Sequence, residues 1–271
     1  MLKLSRLTAS FLSLCLYFGT AIAGAPGDNS TAGEADSIQA SDAAAGPAPT
    51  DTQLPELTGF KGEYEVRYLA FTADLKLSLQ QLNDGGEYRY EVVTKARGVA
   101  KLVRSGTGIE RSFFRLTTDG LRPQSYHLDD GTEKLENDAD IEFDWENNIA
   151  HSVFVGEPMQ IELRPGVLDR LTGDVAAIYA LRSGTAPSRQ EITDGESIDI
   201  IEFTPQGRET ITVPAGKFET VKYLRQRPGS SRAAMIWYAV DAGYLPAKIE
   251  HLKRGKTNIT MVAMQLQPGA D

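Results

Sequence analysis

The chain has 271 residues, 41% of them hydrophobic, with a formal charge of −9 at neutral pH, three histidines and one cysteine. The acidic balance argues against nucleic acid as a partner and against broad adhesion to anionic membranes. The three histidines, His127, His151 and His251, stand apart in the sequence with no His-x-His or His-Glu-x-x-His arrangement, so a zinc site lacks support. There is likewise no Gly-x-Ser-x-Gly elbow and no phosphate-cradling glycine loop before a helix, so no cofactor or catalytic motif is implied.

The chain opens Met1-Leu2-Lys3-Leu4-Ser5-Arg6, continues as an apolar run from Leu7 to Phe18, and reaches Ala21-Ile22-Ala23 before Gly24. A short basic start, an apolar run too short for a comfortable span and small residues at the end read as a signal peptide over 1–23. Cleavage is expected after Ala23, with release into the periplasm and no integral membrane span left. Cys15 follows Leu14 inside the apolar run, which is the wrong setting for lipidation. Its removal leaves no disulfide or thiol chemistry, and loss of Lys3 and Arg6 takes the formal charge from −9 to −11.

Residues 24–58 are mostly Ala, Gly, Pro, Ser, Thr and Asp, without an aromatic, Lys or Arg. They read as a disordered linker, since they hold too little to bury. Residues 59–271 are long enough for one sizeable core and are expected to form a single antiparallel β domain.

From Phe60 the apolar residues alternate, as in Tyr64, Val66 and Tyr68, then Leu75, Leu77 and Leu79. Half-buried strands alternate this way. Asn83-Asp84-Gly85-Gly86 marks a turn, so 73–94 reads as a hairpin. Ile141, Phe143 and Trp145 begin another, turned at Asn147-Asn148, with return over 149–155. Later turns are expected at Thr204-Pro205-Gln206-Gly207, Pro214-Ala215-Gly216, Pro228-Gly229-Ser230-Ser231 and Arg254-Gly255-Lys256. Val167, Leu168, Leu171, Val175, Ile178 and Tyr179 instead recur at three and four, which predicts one amphipathic helix over about 167–183. Many short strands plus one helix imply a barrel or half-barrel, with the helix in a mouth or on the open face. Met235 to Val240, apolar on both parities, should be a central strand with Trp237 in the core.

Glu136, Asp138, Asp140, Glu142, Asp144 and Glu146 occupy alternate positions, so one strand face would carry six carboxylates spaced roughly 6.6–6.8 Å apart. Such spacing could suit the acid and base of an inverting glycosidase or a loose calcium site, but the plainer reading is a solvated strand face protecting an edge. The basic run Lys95, Arg97, Lys101, Arg104, Arg111 and Arg115 is expected to neutralise this ladder from neighbouring strands, or to take lipid headgroups or acidic glycans. Trp145, Trp237, Tyr238 and Tyr244 are candidates for lining a pocket. Asp169 and Arg170 would either point charge into a barrel mouth or cap the helix.

Gly120-Leu121-Arg122-Pro123, Phe143-Asp144-Trp145, Leu168-Asp169-Arg170-Leu171, Val213-Pro214-Ala215-Gly216-Lys217-Phe218-Glu219-Thr220-Val221, Trp237-Tyr238-Ala239 and Gly243-Tyr244-Leu245-Pro246 together resemble the domain of unknown function 3108 family. The likeness runs from about Phe60 to Gln267 and implies an exported bacterial β protein, with no activity or site residues to carry over. The sequence thus points to a periplasmic barrel-like protein, non-catalytic, binding an apolar or amphipathic envelope molecule. Ligand-binding candidates are Trp145, Trp237, Tyr244, Asp169 and Arg170, and the ligand class is lipid or glycan. A carboxylate-dependent glycan enzyme and a scaffold for another envelope protein are the alternatives, with the protein partner open in each.

Overall fold

The computed structural model describes residues 57–102, 105–133 and 138–269. The expected signal peptide (1–23) and the expected linker (24–58) lie outside them, except that Leu57 and Thr58 are described and Leu57 is fully buried.

Apolar alternation produces fifteen strands among the described residues. They are β1 (Phe60–Tyr68), β2 (Phe71–Asn83), β3 (Glu87–Arg97), β4 (Thr107–Thr117), β5 (Gly120–Asp129), β6 (Ala139–Asp144), β7 (Ile149–Phe154), β8 (Glu157–Glu162), β9 (Val167–Asp169), β10 (Arg189–Thr193), β11 (Ile198–Val213), β12 (Gly216–Gln226), β13 (Arg232–Ala239), β14 (Leu245–Lys253) and β15 (Lys256–Pro268). All belong to one sheet, ordered β8-β7-β6-β5-β4-β3-β2-β1-β15-β14-β13-β12-β11-β10-β9. Two antiparallel meanders are therefore joined where β1 pairs with β15, and the free edges are β8 and β9, neighbours in sequence.

The helix α1 (Arg170–Arg182) crosses between β9 and β10, which pair in parallel. It starts three residues later than the periodicity predicts. Val167 and Leu168 pair with Glu191 and Ile192 as a short strand, and Asp169, extended at φ −80 and ψ 173, is the cap that ends it. Leu171, Val175, Ile178 and Leu181 are buried, and the helix packs on β3, β4, β5, β9 and β10 from the concave side. The inner face of the sheet supplies the rest of the core, including Phe60, Tyr64, Leu75, Leu77, Leu79, Tyr88, Tyr90 and Phe114.

The edges of the sheet overlap. Gly195, in the β10–β11 turn, lies so close to the inner face of β6 and β7 that a Cβ would come within 2.8 Å of Ser152 Oγ and 3.5 Å of Ile141. Since β9 also touches β5, the sheet curls into a half-barrel wrapped around α1. One expected hairpin is absent: Thr204-Pro205-Gln206-Gly207 lies within β11. Pro205 pairs with Tyr223 and Arg208 with Val221, so Gln206 and Gly207 oppose Lys222 as a bulge, with Gly207 at φ +93.

Candidate functional site

At the start of α1 the buried polar side chains of β4, β5 and the helix converge. Asp169, with no exposed surface, accepts hydrogen bonds from Thr172 N (2.8 Å), Thr172 Oγ1 (2.6 Å) and Ser112 Oγ (2.6 Å). Burial raises its pKa and these bonds oppose the rise. Beside it, Tyr126 donates to Glu110 Oε1 at 2.6 Å, and Arg170 Nε lies 3.6 Å from the same oxygen. Burial raises Glu110 as well, against Arg170 and Tyr126, and among the described residues its Oε2 has no hydrogen-bond partner. One turn on, Asp174 pairs with Arg225 of β12 at 2.5 Å, while Arg225 stacks over Phe203. His251 of β14 faces the same interior, and burial with Arg225 and Arg170 pushes it down to about 4.

This cluster anchors the helix. Ser112 is bonded to a capping carboxylate rather than to a histidine, so no nucleophile and base are paired here. The far end is fixed in the same way, because Arg182 donates to Gly243 O (2.8 Å) and to Thr58 O (3.1 Å) and lies over Phe60.

The three aromatic candidates stand apart from these charges. Trp145, in the β6–β7 turn, donates to Pro123 O at 2.6 Å, stacks on Phe143 and is covered by Arg122. Tyr244, in the β13–β14 turn, takes φ +58 and packs half-buried against the core. Trp237 is 5% exposed, yet it faces outward while its neighbours Ile236 and Tyr238 face the core. Its cover is the stems of Lys222 and Lys248, whose ammonium groups lie 4.7 and 4.5 Å from the ring, and Glu209, which accepts from Nε1 at 2.6 Å. Trp145 packs against the core whereas Trp237 lies on the outer face, so they line no common pocket.

Glu136 and Arg104 lie outside the described residues, and the acidic ladder is shorter than six. Asp140, Glu142 and Asp144 lie in β6, Asp138 precedes it and Glu146 is in the following turn. The first two point to solvent, Asp140 bonding His127 at 2.6 Å, while Ile141 and Phe143 point inward. The basic run serves other acids: Arg97 pairs with Asp74 and Glu65, Arg111 with Glu91 and Arg115 with Glu87. Cross-strand register explains this, since β3 lies between β2 and β4, and β4 between β3 and β5, so neither adjoins β6. Asp129, Asp130 and Asp138 bring carboxylate oxygens within 4.8 Å of one another, but their hydrogen bonds to Gly131, Thr132 and Asp130 N already serve the turn they form.

The outer face also carries a groove of about 680 Å³ across β15, β1, β2 and β3. A bulge lies in it: Glu63 pairs with Gln265 and Tyr64 with Ala263, which leaves Met264 out of the β1–β15 register and 43% exposed. Bulges locally increase the twist of a sheet and bend it. Met264 and Val93 give the groove an apolar lining, with Lys61, Lys76 and Lys95 facing Glu63, Asp74 and Glu91 around them.

The family described as "Protein of unknown function (DUF3108)" matches residues 63–262. The chain belongs to the DUF3108 family. No curated protein sequence matches this DUF3108 chain. Among solved structures it is similar to a beta-barrel-like protein of DUF1849 from Brucella abortus, at 8% identity and TM-score 0.47, over 78% of this chain and 98% of that one. It is also similar to a chain of the Pseudomonas aeruginosa MucA/MucB complex, at 10% identity and TM-score 0.38, over 79% of this chain and 52% of that one. Among the described residues of the DUF3108 chain, no helix is long and apolar enough to cross a membrane.

Sequence reasoning missed Ser112, Glu110, Tyr126 and Arg225, because inward polar residues interrupt their strands without breaking the alternation. It also missed the groove. Met264 sits in an unremarkable alternating stretch, and only the β1–β15 pairing shows that it is a bulge residue.

Proposed function

We propose that this DUF3108 protein is an exported, non-catalytic binding protein of the cell envelope, released after Ala23, and that it takes an amphipathic molecule on the outer face of its half-barrel. The groove across β15, β1, β2 and β3 carries the reading. Its volume of about 680 Å³ falls within the size of ordinary ligand pockets, roughly 300–1,000 Å³. Met264 and Val93 suit an acyl or ring portion, and Lys95, which forms no ion pair among the described residues while Lys76 is held by Glu63, suits an anionic head. The glycan-enzyme alternative is less well supported, since Asp140 and Glu142 face solvent and no aromatic candidate stands opposite them.

Monomeric lauroyl lysophosphatidylglycerol is a suitable probe. Titration of the purified protein should saturate, and Val93→Asp with Met264→Asp should weaken binding at least tenfold without lowering the melting temperature. A wild-type protein that does not bind the probe and carries nothing amphipathic in native mass spectrometry would overturn the reading.

A further inference from the structure

The antiparallel order sends alternate turns to opposite ends of the half-barrel. At one end four consecutive turns lie side by side: β12–β13 (227–231), β14–β15 (254–255), β1–β2 (69–70) and β3–β4 (described at 98–102 and 105–106). Arg254 N donates to Ser231 O at 2.7 Å, tying the first two together, and the 3-10 turn Gly98–Leu102 packs on β2 beside the third. None of the four turns contains an Asp or Glu. In a chain of net charge −9, that is a marked local segregation.

The exposed residues of this rim are of two kinds. Lys101, Lys253, Arg254 and Lys256 are exposed cations that form no ion pair among the described residues. Leu69 and Val99 are apolar side chains 82% and 61% exposed, the two most exposed large hydrophobic residues described. Leu69 holds φ +51, a backbone region unfavourable to a leucine, at the tip of its hairpin. A strained, solvated leucine beside uncompensated lysines contributes nothing to folding that a polar residue would not.

We propose that this rim docks on an anionic lipid bilayer, with Leu69 and Val99 entering the headgroup region and Lys101, Lys253, Arg254 and Lys256 meeting lipid phosphates. Charge complementarity selects the partner, and the apolar pair separates it from a polyanion, which offers no place for aliphatic tips. The distant part of the acidic total does not oppose docking, because charges more than about 8 Å away are largely screened at physiological salt; the flanking turns, with Asp130, Glu133 and Asp138 beside β3–β4 and Asp194 and Glu196 beside β12–β13, bound the docking face. The groove's Lys95 lies on β3 two residues before Arg97, where that strand reaches the rim, so docking would hold the groove beside the lipid surface.

The test is sedimentation of the purified protein with vesicles of phosphatidylcholine alone and of phosphatidylcholine with 30% phosphatidylglycerol. The expected result is binding to the anionic vesicles only, weakened by salt. The charge reversal Lys253→Glu, Arg254→Glu, Lys256→Glu should cost roughly a hundredfold in affinity. Leu69→Asn with Val99→Asn, which leaves every charge in place and puts a residue tolerant of positive φ at 69, should cost at least tenfold. Circular dichroism melts serve as the control that both variants fold. No binding to anionic vesicles, equal binding to both vesicle types, or unchanged binding by the folded variants would each overturn the proposal. So would a wild-type protein that binds soluble heparin while ignoring vesicles. The groove variants Val93→Asp and Met264→Asp should leave vesicle binding intact, so the two readings fail separately.

Discussion

Replacing Asp169 tests whether α1 is held by hydrogen-bond geometry or by charge. In Asp169→Ala the helix loses its cap, worth about 1 kcal/mol. Three donors also lose their acceptor inside the protein: Thr172 N, Thr172 Oγ1 and Ser112 Oγ. The two hydroxyls lie 2.9 Å apart and can bond each other, so the principal orphan is the Thr172 amide, at about 1–3 kcal/mol. The cap and the Thr172 amide are one and the same bond, so the two figures do not add and the expected loss is about 1–3 kcal/mol, a large share of a domain's usual 5–15. Asp169→Asn keeps an acceptor for Thr172 N and lets the hydroxyls rotate to accept from its amide, and should cost about 1 kcal/mol. Urea titrations of both variants, with unchanged slopes, give the comparison. If Asn is as damaging as Ala, the buried negative charge rather than the cap holds the helix, and the reasoning is wrong.

Two more outcomes follow from the same geometry. Trp237→Ala should cost about 2–3 kcal/mol, less than the 3–5 typical of a core tryptophan, because the Lys222 and Lys248 stems and solvent can close over the gap; a denaturant titration showing 5 kcal/mol would refute an outward position. His251 has a folded pKa pushed below its ordinary value, to about 4, so between about 6.5 and 4 the unfolded chain binds more protons and stability should fall as pH falls. Glu110 and Asp169, raised by burial, oppose that slope, so the readout is the difference between wild type and His251→Gln, whose melting temperature should decline less over that window.

Strand and turn positions were legible because a half-buried strand must alternate, and most hairpins here turn at Gly, Asn or Pro. Thr204 to Gly207 misled for a definable reason: Pro205 and Gly207 are turn residues, but a bulge uses the same chemistry while the strand continues on both sides. The helix was legible from Leu171 to Tyr179, and its start was blurred because Val167 and Leu168 are buried as a strand with the same apolar face. Trp237 was rightly expected to be buried. The apolar run could not say that its cover would come from lysines on β12 and β14, since that depends on cross-strand register. The interior cluster of Glu110, Ser112, Asp169 and Arg225 draws on three distant parts of the chain, and no local pattern records such a meeting.

The pairing of β1 with β15 joins Phe60 to Pro268, more than 200 residues apart, in the middle of the sheet. Most other ladders are hairpins that can close locally as the chain is made. This one waits for the last strand, and long-range pairing is slow to form. Until it forms, β1 and β14 are bare interior edges whose inner faces carry Tyr64, Val66, Leu245 and Ala247, all buried in the finished protein. A chain that stops at Arg254 therefore loses more than one strand. It becomes two ribbons, each with a sticky side, and the seam between β8 and β9 then has no closed wall behind it to curl against.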